Sequence, residues 1–246
     1  MDIFSKTDIG LERTENQDTV WSEMLSPTAC CAVLCDGMGG ESDGGLASAM
    51  AVDIISKRIK ESFSEMMNRN SARNLLITAV VAANSIVYET AQRRPSHAVM
   101  GTTCVAALVY GGVAHIVNVG DSRAYHLFTM DKDECIRQVT KDHSRVRELV
   151  DSGEITEEQA KVHPNRNRIT KAIGADSNVT PDYFELPVNE GDMLLLCSDG
   201  LTSYGDDLDI LDICFDAERK SVCDELIKYA NDNGGHDNVS VAFIVN

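Results

Sequence analysis

The chain has 246 residues, of which 43% are hydrophobic, and this is enough for one large buried core. We predict a single domain over residues 1–246. The chain carries 39 acidic and 22 basic residues, a formal net charge of -17, which argues against a nucleic-acid partner because its phosphates would be repelled. An acidic surface that keeps the protein soluble explains most of this excess, and a carboxylate cluster for divalent metal explains part of it.

The cysteines and the N-terminus indicate the cellular compartment. None of the eight cysteines forms a CxxC pair, and five lie in or beside apolar runs, so neither a zinc cluster nor a disulfide framework is expected. The sequence MDIFSKTDIG lacks the apolar core of a signal peptide, and nowhere do 18 apolar residues follow one another. We therefore predict a cytoplasmic protein that is neither secreted nor inserted in a membrane.

The first half of the chain predicts one strand followed by two helices. Ala29–Cys35 is an unbroken apolar run that ends at an Asp-Gly pair, as in a strand buried on both faces. Apolar residues then recur at helical spacing from Ala47 to Phe63 and again from Leu75 to Val87. These two segments are predicted to be amphipathic helices.

The second half predicts mostly strands. Thr102–Phe128 contains three β-rich runs, with Gly111-Gly112 between the first two, and therefore predicts a meander. Met193–Cys197 is another apolar run beside an Asp-Gly pair. Helical spacing returns from about Ala217 to Asn231, and Val239–Val245 alternates as a last strand.

These elements favour an α+β fold. Strands joined by a hairpin pair in antiparallel fashion, and the helices come in blocks rather than after each strand, so a doubly wound sheet is disfavoured. A β-sandwich flanked by helices fits better. The segment from Thr140 to Thr180 is highly charged, with short helical turns and few core-forming residues, and it predicts a surface insertion that selects or admits substrate. An ordinary irregular connection is the alternative.

Five aspartates far apart in the sequence share one kind of position, a junction between an apolar run and a turn. They are Asp18, Asp36, Asp121, Asp199 and Asp237. Carboxylates at strand ends lie beside solvent and can converge from distant segments. Oxygen ligands of this kind suit Mg²⁺ or Mn²⁺, so the pattern indicates a paired metal site and hydrolytic chemistry.

Covalent catalysis lacks its usual motifs in this sequence. There is no GxSxG elbow and no GxxxxGK[ST] phosphate loop, and no cysteine is followed six positions later by arginine. Attack by metal-activated water is the simpler expectation.

Seven short motifs, in this order, resemble a known family: RTENQD, DGMGG, MGTT, GDSRAY, TKDHS, SDGL and HDNVSV. Together they resemble the metal-dependent PPM/PP2C serine/threonine phosphatases over essentially the whole chain, and DGMGG resembles the bacterial branch. The resemblance implies a four-layer α-β-β-α sandwich with a flap subdomain at about 141–180. It also implies hydrolysis of phosphoserine and phosphothreonine by a metal-bridging hydroxide, without a phosphoenzyme.

The resemblance further implies roles for individual metal-binding residues. Asp36 is expected to bridge two Mn²⁺ or Mg²⁺ ions, with the Gly37 carbonyl on one ion and Asp199 and Asp237 on the other. A glycine suits position 37 if its carbonyl must turn toward the metal in a conformation that a side chain would hinder. Gly39 and Gly40 are expected to extend that tight turn.

Two further residues are expected to act on the substrate and the water. Arg13 resembles the family's phosphate-binding arginine, whose fork can hold two phosphate oxygens, with a solvated surface arginine as the alternative. Asp18 is expected to orient the nucleophilic water rather than to bind a metal directly. Gln17 stands where some relatives have glutamate, so the site has one negative charge fewer.

The motifs do not identify a single group that protonates the departing serine or threonine oxygen. Asp121 and Asp199 are expected to hold a third, weaker ion, unless Asp121 only caps a local Asp-Ser-Arg turn. Ser203 stands where certain relatives have another aspartate, so this ion should be loosely held. Met38 replaces the histidine of eukaryotic relatives and cannot donate a proton, which leaves water on the third ion as the preferred acid. His236, beside Asp237, is the one histidine that merits a test.

The implied partners are phosphorylated proteins, including a serine/threonine kinase and its substrates, and a monomer is expected. Two other functions remain open. A phosphatase-like regulatory binding module without turnover usually loses a metal carboxylate, whereas Asp36, Asp199 and Asp237 all persist. A metal-dependent hydrolase of small phosphoesters or nucleotides is less favoured, because aromatic and basic features for binding a base are missing.

Overall fold

The structure is a computed structural model that describes residues 1–39, 43–94 and 100–246. The strands are β1 (Asp2–Asp8), β2 (Asp18–Ser26), β3 (Ala29–Gly39), β4 (Met100–Thr102), β5 (Cys104–Tyr110), β6 (Val113–Val119), β7 (Arg123–Met130), β8 (Asp133–Gln138), β9 (Asp182–Pro187), β10 (Met193–Cys197) and β11 (Val239–Val245). The helices are α1 (Asp43–Ser62), α2 (Arg69–Gln92), α3 (Arg145–Asp151), α4 (Glu157–Lys161), α5 (Asp199–Thr202), α6 (Asp207–Asp216) and α7 (Val222–Asp232). Gly40, which was predicted to extend a turn, lies outside the described residues.

Two antiparallel sheets face each other. The first sheet has the strand order β1-β11-β10-β7-β8, and the second has β2-β3-β5-β6-β9, with β4 paired to the end of β3. Helices α1 and α2 cover the second sheet, and α6 and α7 cover the first. The fold is therefore an α-β-β-α sandwich, as predicted.

The apolar runs form central strands because both of their faces are buried. In β3, Cys31 and Val33 pack in the core beneath α1 and α2, whereas Ala32 and Leu34 pack between the sheets. Leu194 of β10 meets them there from the first sheet. Each fully buried side chain of the size of leucine or valine contributes about 1.5–3 kcal/mol, so this central layer holds the two halves together.

Helix α2 begins where the Asn68 side chain accepts a hydrogen bond from the Ser71 N–H. By length and composition alone this helix is apolar enough to cross a membrane, a test that core helices of globular proteins also pass. One of its faces, including Leu76, Ala83 and Val87, is buried against the second sheet. The packing accounts for its apolar character.

The predicted meander is wrong in its third strand. The Gly111-Gly112 turn joins β5 and β6 as predicted, and both glycines have positive φ. After β6, however, the chain turns at Gly120, with φ 107°, and β7 pairs with β8 and β10 of the other sheet. The free edge of β6 is occupied by β9 instead. This crossing places Asp121 between the two sheets.

The prediction of a helix from Ala217 to Asn231 is also only partly right. Ala217 ends α6 in an extended conformation, and α7 does not begin until Val222. Helix α6, with Ile210 and Cys214 buried, was not predicted, nor were the edge strands β1, β2, β8 and β9. These strands show mixed exposure rather than clean alternation, so their periodicity is weak.

The charged segment from 141 to 180 contains α3 and α4 and is largely exposed between Asp151 and Lys171. Its C-terminal part is anchored more firmly than a surface insertion would be. Ile173 is fully buried and exchanges two backbone hydrogen bonds with Thr102, of 2.8 and 3.0 Å. The segment is therefore buried at Ile173, where it pairs with the end of β4.

Candidate active site

Two of the five aspartates lie opposite each other on the second sheet. Asp18 begins β2, and its register partner on β3 is Asp36. Directly opposed residues of an antiparallel pair project to the same face, with Cβ atoms about 5 Å apart, and like charges in this arrangement repel. The site thus contains a destabilising pair of carboxylates that a cation would relieve.

The first sheet supplies two more aspartates from one end. Asp199 is the first residue of α5 and is separated from the end of β10 by one residue, and one residue also separates Asp237 from the start of β11. Because β10 and β11 are antiparallel neighbours, with Cys197 opposite Val241, the end of one lies beside the start of the other. Asp121 reaches the same region from the crossing between the sheets.

Four of the five aspartates line a cavity of about 550 Å³. Its lining includes six of the seven residues predicted for the site: Arg13, Asp36, Gly37, Asp121, Asp199 and Asp237. Asn167 and Ile169, from the charged segment, complete the wall. Asp18 does not line the cavity and is only 7% exposed.

The carboxylates raise one another's pKa values. Burial raises the pKa of Asp18 to about 7, with help from the charges of Asp199 and Asp237. The pKa of Asp121 rises to about 8 and that of Asp199 to about 6, in both cases chiefly because the surrounding protein removes hydration. Asp36 is held well above its ordinary pKa by burial and then by the charge of Asp18.

These donors fit hard divalent cations that keep several water ligands. Every side-chain donor is a carboxylate, and Oδ1 of Asp18 is buried without a hydrogen-bond partner among the described residues. Within the same residues, no three acidic, histidine or cysteine side chains are grouped closely enough to hold one ion by themselves. An open, all-oxygen set of this kind suits Mg²⁺ or Mn²⁺ and not zinc.

Arg13 lies at the rim of the cavity and is paired with an aspartate. Its Nη2 donates to Oδ2 of Asp237 at 2.8 Å, and the other oxygen, Oδ1, accepts from the Asn238 N–H. The side chain of Arg13 is 55% exposed, so the pair itself adds little to stability. The Arg13–Asp237 pair instead orients the guanidinium toward the carboxylates of the site.

Gly37 is required for a different reason from the one predicted. Its φ is not in the left-handed region, and β3 continues through Gly39, paired with β4, so no tight turn follows Asp36. A Cβ at position 37 would instead lie 2.2 Å from the Gly44 carbonyl oxygen and 2.5 Å from that of Gln17. Close approach of the backbone explains the glycine.

Two buried hydroxyl residues in the MGTT motif fix the backbone of Asp36, a role that was not predicted from the sequence. Thr103 Oγ1 accepts from the Asp36 N–H at 2.9 Å, and Thr102 Oγ1 donates to the Asp36 carbonyl at 2.8 Å. Thr103 Oγ1 also bonds Ser122 Oγ at 2.7 Å, which ties Asp36 to the residue after Asp121. The only sequence signal was the motif itself.

Asn238 is a second residue without a predicted role. Its side chain accepts from the Gln17 N–H and donates to the carbonyls of Ile9 and Glu15. It therefore holds the RTENQD loop against the start of β11. His236, the histidine selected for testing, forms a 2.7 Å hydrogen bond with Glu12, and its ring lies 4.6 Å from that of Tyr204 in a tilted arrangement. It is not among the described residues that line the cavity.

The family model of protein phosphatase 2C matches residues 12–238. A serine/threonine phosphatase, stp, of Listeria welshimeri is 35% identical over 240 residues, covering 97% of this chain and 93% of the relative. The chain belongs to the protein phosphatase 2C family and is an enzyme of the protein phosphatase class. This confirms the resemblance drawn from the seven motifs.

Solved structures agree with the fold. The serine/threonine phosphatase Stp1 from Staphylococcus aureus matches with a TM-score of 0.91 and 38% identity, covering 100% of this chain and 94% of that one. The catalytic domain of the phosphatase PstP, in complex with two manganese ions, matches with a TM-score of 0.81 and 30% identity over 98% and 96% of the two chains. The α-β-β-α architecture is thus shared with bacterial members of the family.

Proposed function

We propose that this chain is a metal-dependent phosphatase that hydrolyses phosphoserine and phosphothreonine in proteins by direct attack of water. The observation that carries the proposal is the convergence of Asp36, Asp121, Asp199 and Asp237 on one cavity with Arg13 at its rim. The manganese-bound relative supports the choice of metal.

In this proposal Asp36, the Gly37 carbonyl, Asp199 and Asp237 hold two Mn²⁺ or Mg²⁺ ions, and Asp121 helps to hold a third. Divalent ions bound there would lower the pKa of coordinated water and offset the charge of the phosphate. The raised pKa values of Asp36 and Asp199 support this assignment, because carboxylates that are buried, and crowded by other carboxylates without a counter-charge, resist ionisation.

Arg13 binds the substrate phosphate. One nitrogen is committed to Asp237, and the described residues give no other side-chain hydrogen bond to the guanidinium. The remaining N–H groups can therefore donate hydrogen bonds to phosphate oxygens while Asp237 keeps the plane of the guanidinium in place. Asp18 receives a hydrogen bond from the attacking water and so orients it toward phosphorus.

The test is dephosphorylation of a phosphothreonine peptide in the presence of Mn²⁺, with the wild type and Asp199→Asn compared and EDTA as a control. We expect the substitution to lower kcat/KM by about 1,000-fold, since a ligand of the charge-stabilising ions is lost. Activity that survives both Asp199→Asn and EDTA would overturn the proposal. Binding of the phosphopeptide without turnover by the wild type would favour the regulatory binding module instead.

A second substitution tests the acid side of the reaction. Because Met38 cannot donate a proton, departure of the threonine alkoxide should depend on the site around Asp121. We expect Asp121→Asn to lower kcat about 10- to 100-fold on the phosphothreonine peptide but less than about threefold on an aryl phosphate, whose leaving group needs no proton. Equal losses on the two substrates would contradict this role.

The remaining assignments complete the proposal. Residues 1–246 act as one catalytic domain, and the segment of about 141–180 serves as its flap, since Asn167 and Ile169 already line the cavity. The substrates are phosphoproteins, including those of a serine/threonine kinase, and the enzyme works as a cytoplasmic monomer.

A further inference from the structure

Ser198 sits between the two halves of the site and directly precedes Asp199. It is fully buried, and its Oγ donates to Oδ2 of Asp18 at 2.7 Å across 180 residues of sequence. The same oxygen accepts from the Ser240 N–H at 2.9 Å. Since a hydroxyl has one proton, and the Ser240 N–H must donate, the Ser198 proton is committed to Asp18.

This use of Ser198 is unusual for its position. It is the N-cap residue of α5, where a serine normally accepts a hydrogen bond from the helix backbone, yet its side chain makes no capping bond. The hydroxyl turns away from the helix and toward a carboxylate on the other sheet. The Ser198 hydroxyl therefore contacts Asp18 instead of capping α5.

The bond belongs to a closed ring that fixes Asp18 at both its side chain and its backbone. Ser240 Oγ donates to Thr7 Oγ1 at 2.7 Å, which also accepts from Asn16 Nδ2 at 2.8 Å. Asn16 Oδ1 in turn accepts from the Asp18 N–H at 3.1 Å. The ring joins β1, β11 and the residue that follows β10 in the first sheet to β2 of the second.

The hydrogen bond from Ser198 makes the two carboxylate oxygens of Asp18 unequal. Ser198 occupies Oδ2, and Oδ1 is buried with no hydrogen-bond partner among the described residues. Only Oδ1 is therefore free to accept from a water in the site, and its direction is set by the bond on Oδ2. We infer that Ser198 is the positioning residue for Asp18, fixing the carboxylate so that Oδ1 orients the attacking water.

This inference rests on the proposed function, because it assumes that Asp18 orients the water. Ser198→Ala should then lower kcat about 10- to 100-fold while KM changes less than twofold, since the substrate phosphate is held by Arg13. Ser198→Thr keeps the hydroxyl and should recover most of kcat. Ser240→Ala is the comparison variant: it loosens only the link through Thr7 and Asn16 to the Asp18 backbone and keeps the Ser198 contact with Asp18, so it should lower kcat clearly less than Ser198→Ala does.

A double-mutant cycle separates positioning from a general structural effect. If Ser198 acts only through Asp18, adding Ser198→Ala to Asp18→Asn should change kcat less than about twofold further. Calorimetric titration of Mn²⁺ gives a readout independent of turnover. The Mn²⁺ affinity of Ser198→Ala should stay within about threefold of the wild type, since the neighbouring ligand Asp199 is not disturbed.

Three outcomes would contradict the inference even if Ser198→Ala is impaired: an additive loss in the Asp18→Asn background, a Mn²⁺ affinity that falls with kcat, and a Ser240→Ala variant as impaired as Ser198→Ala. An inactive wild type would instead refute the proposed function. An active wild type with impaired Asp18→Asn and unimpaired Ser198→Ala would refute the role of Ser198 alone.

Discussion

Asp36→Asn is expected to abolish turnover and, at the same time, to stabilise the metal-free protein at pH 8. The loss of turnover should be about 1,000-fold or more, because Asp36 is the proposed bridging ligand and metal ions supply several kcal/mol of charge stabilisation. The gain in stability has a separate cause. Burial raises the pKa of Asp36, and so do the charges of Asp18, which faces it across the β2–β3 pair, and of three further carboxylates, so the ionised side chain is destabilising.

The sign of the pH dependence follows from the direction of these shifts. A carboxyl group with a higher pKa in the folded than in the unfolded state keeps its proton longer when folded, so the free energy of unfolding decreases as pH rises from about 4 through the folded pKa. The pKa values of about 6, 7 and 8 for Asp199, Asp18 and Asp121 place much of this loss between pH 5 and 8. Because burial and then the neighbouring carboxylates hold the pKa of Asp36 well above its ordinary value, the substitution should have a smaller effect at pH 5.5 than at pH 8.

Thermal unfolding in EDTA at pH 5.5 and pH 8 measures the effect. A relief of about 1–3 kcal/mol, the usual size of a single-substitution effect, corresponds to a rise in Tm of roughly 2–12 °C at pH 8 for a chain of this length. Asp133→Asn, on the exposed strand β8, is the control and should leave the pH profile unchanged. Saturating Mn²⁺ should stabilise the wild type more than Asp36→Asn. A variant no more stable than the wild type at pH 8 would show that the carboxylates do not strain the metal-free fold.

The candidate site was predictable where its signal is local. Asp36 and Asp199 follow apolar runs whose length and composition already identify buried strands, so the ends of two central strands could be found from the sequence. Ser198 and Asn238 could not, because their roles depend on contacts with residues 180 or more positions away. Such contacts exist only once the two sheets have packed.

The fold was predictable to the same extent. Burial on both faces of β3 and the helical spacing of α1 and α2 are properties of single segments, and these predictions were right. The crossing after Gly120 was missed because VGDSRAY would suit a turn between neighbouring strands as well as a change of sheet. The partners of β7 are β8 and β10, and that pairing is decided by non-local packing.

Gly37→Ala is expected to destabilise the protein by about 4 kcal/mol or more. The added Cβ would stand 2.2 Å from the Gly44 oxygen and 2.5 Å from the Gln17 oxygen, and both atoms belong to backbone. Neither can move aside as a side chain would: Gln17 O accepts from the Gly37 N–H at 3.1 Å, and Gly44 lies in the first turn of α1. The clash would push α1 or the RTENQD loop away from β3. A loss of this size in the free energy of unfolding is at the upper end of what single substitutions that overpack a protein cause.

Gly45→Ala provides the matched control in the neighbouring position of α1. A Cβ there would meet its nearest atom, the Asn16 oxygen, at 3.7 Å, which is ordinary contact, and alanine favours helix over glycine by about 1 kcal/mol. We therefore expect Gly45→Ala to raise Tm by roughly 2–4 °C and Gly37→Ala to lower it by roughly 10 °C or to prevent soluble expression. A Gly37→Ala protein with the Tm of the wild type would contradict the steric explanation, because it would show that the surrounding backbone can move to accommodate the Cβ. The position of the Gly37 carbonyl would then be the remaining reason for a glycine.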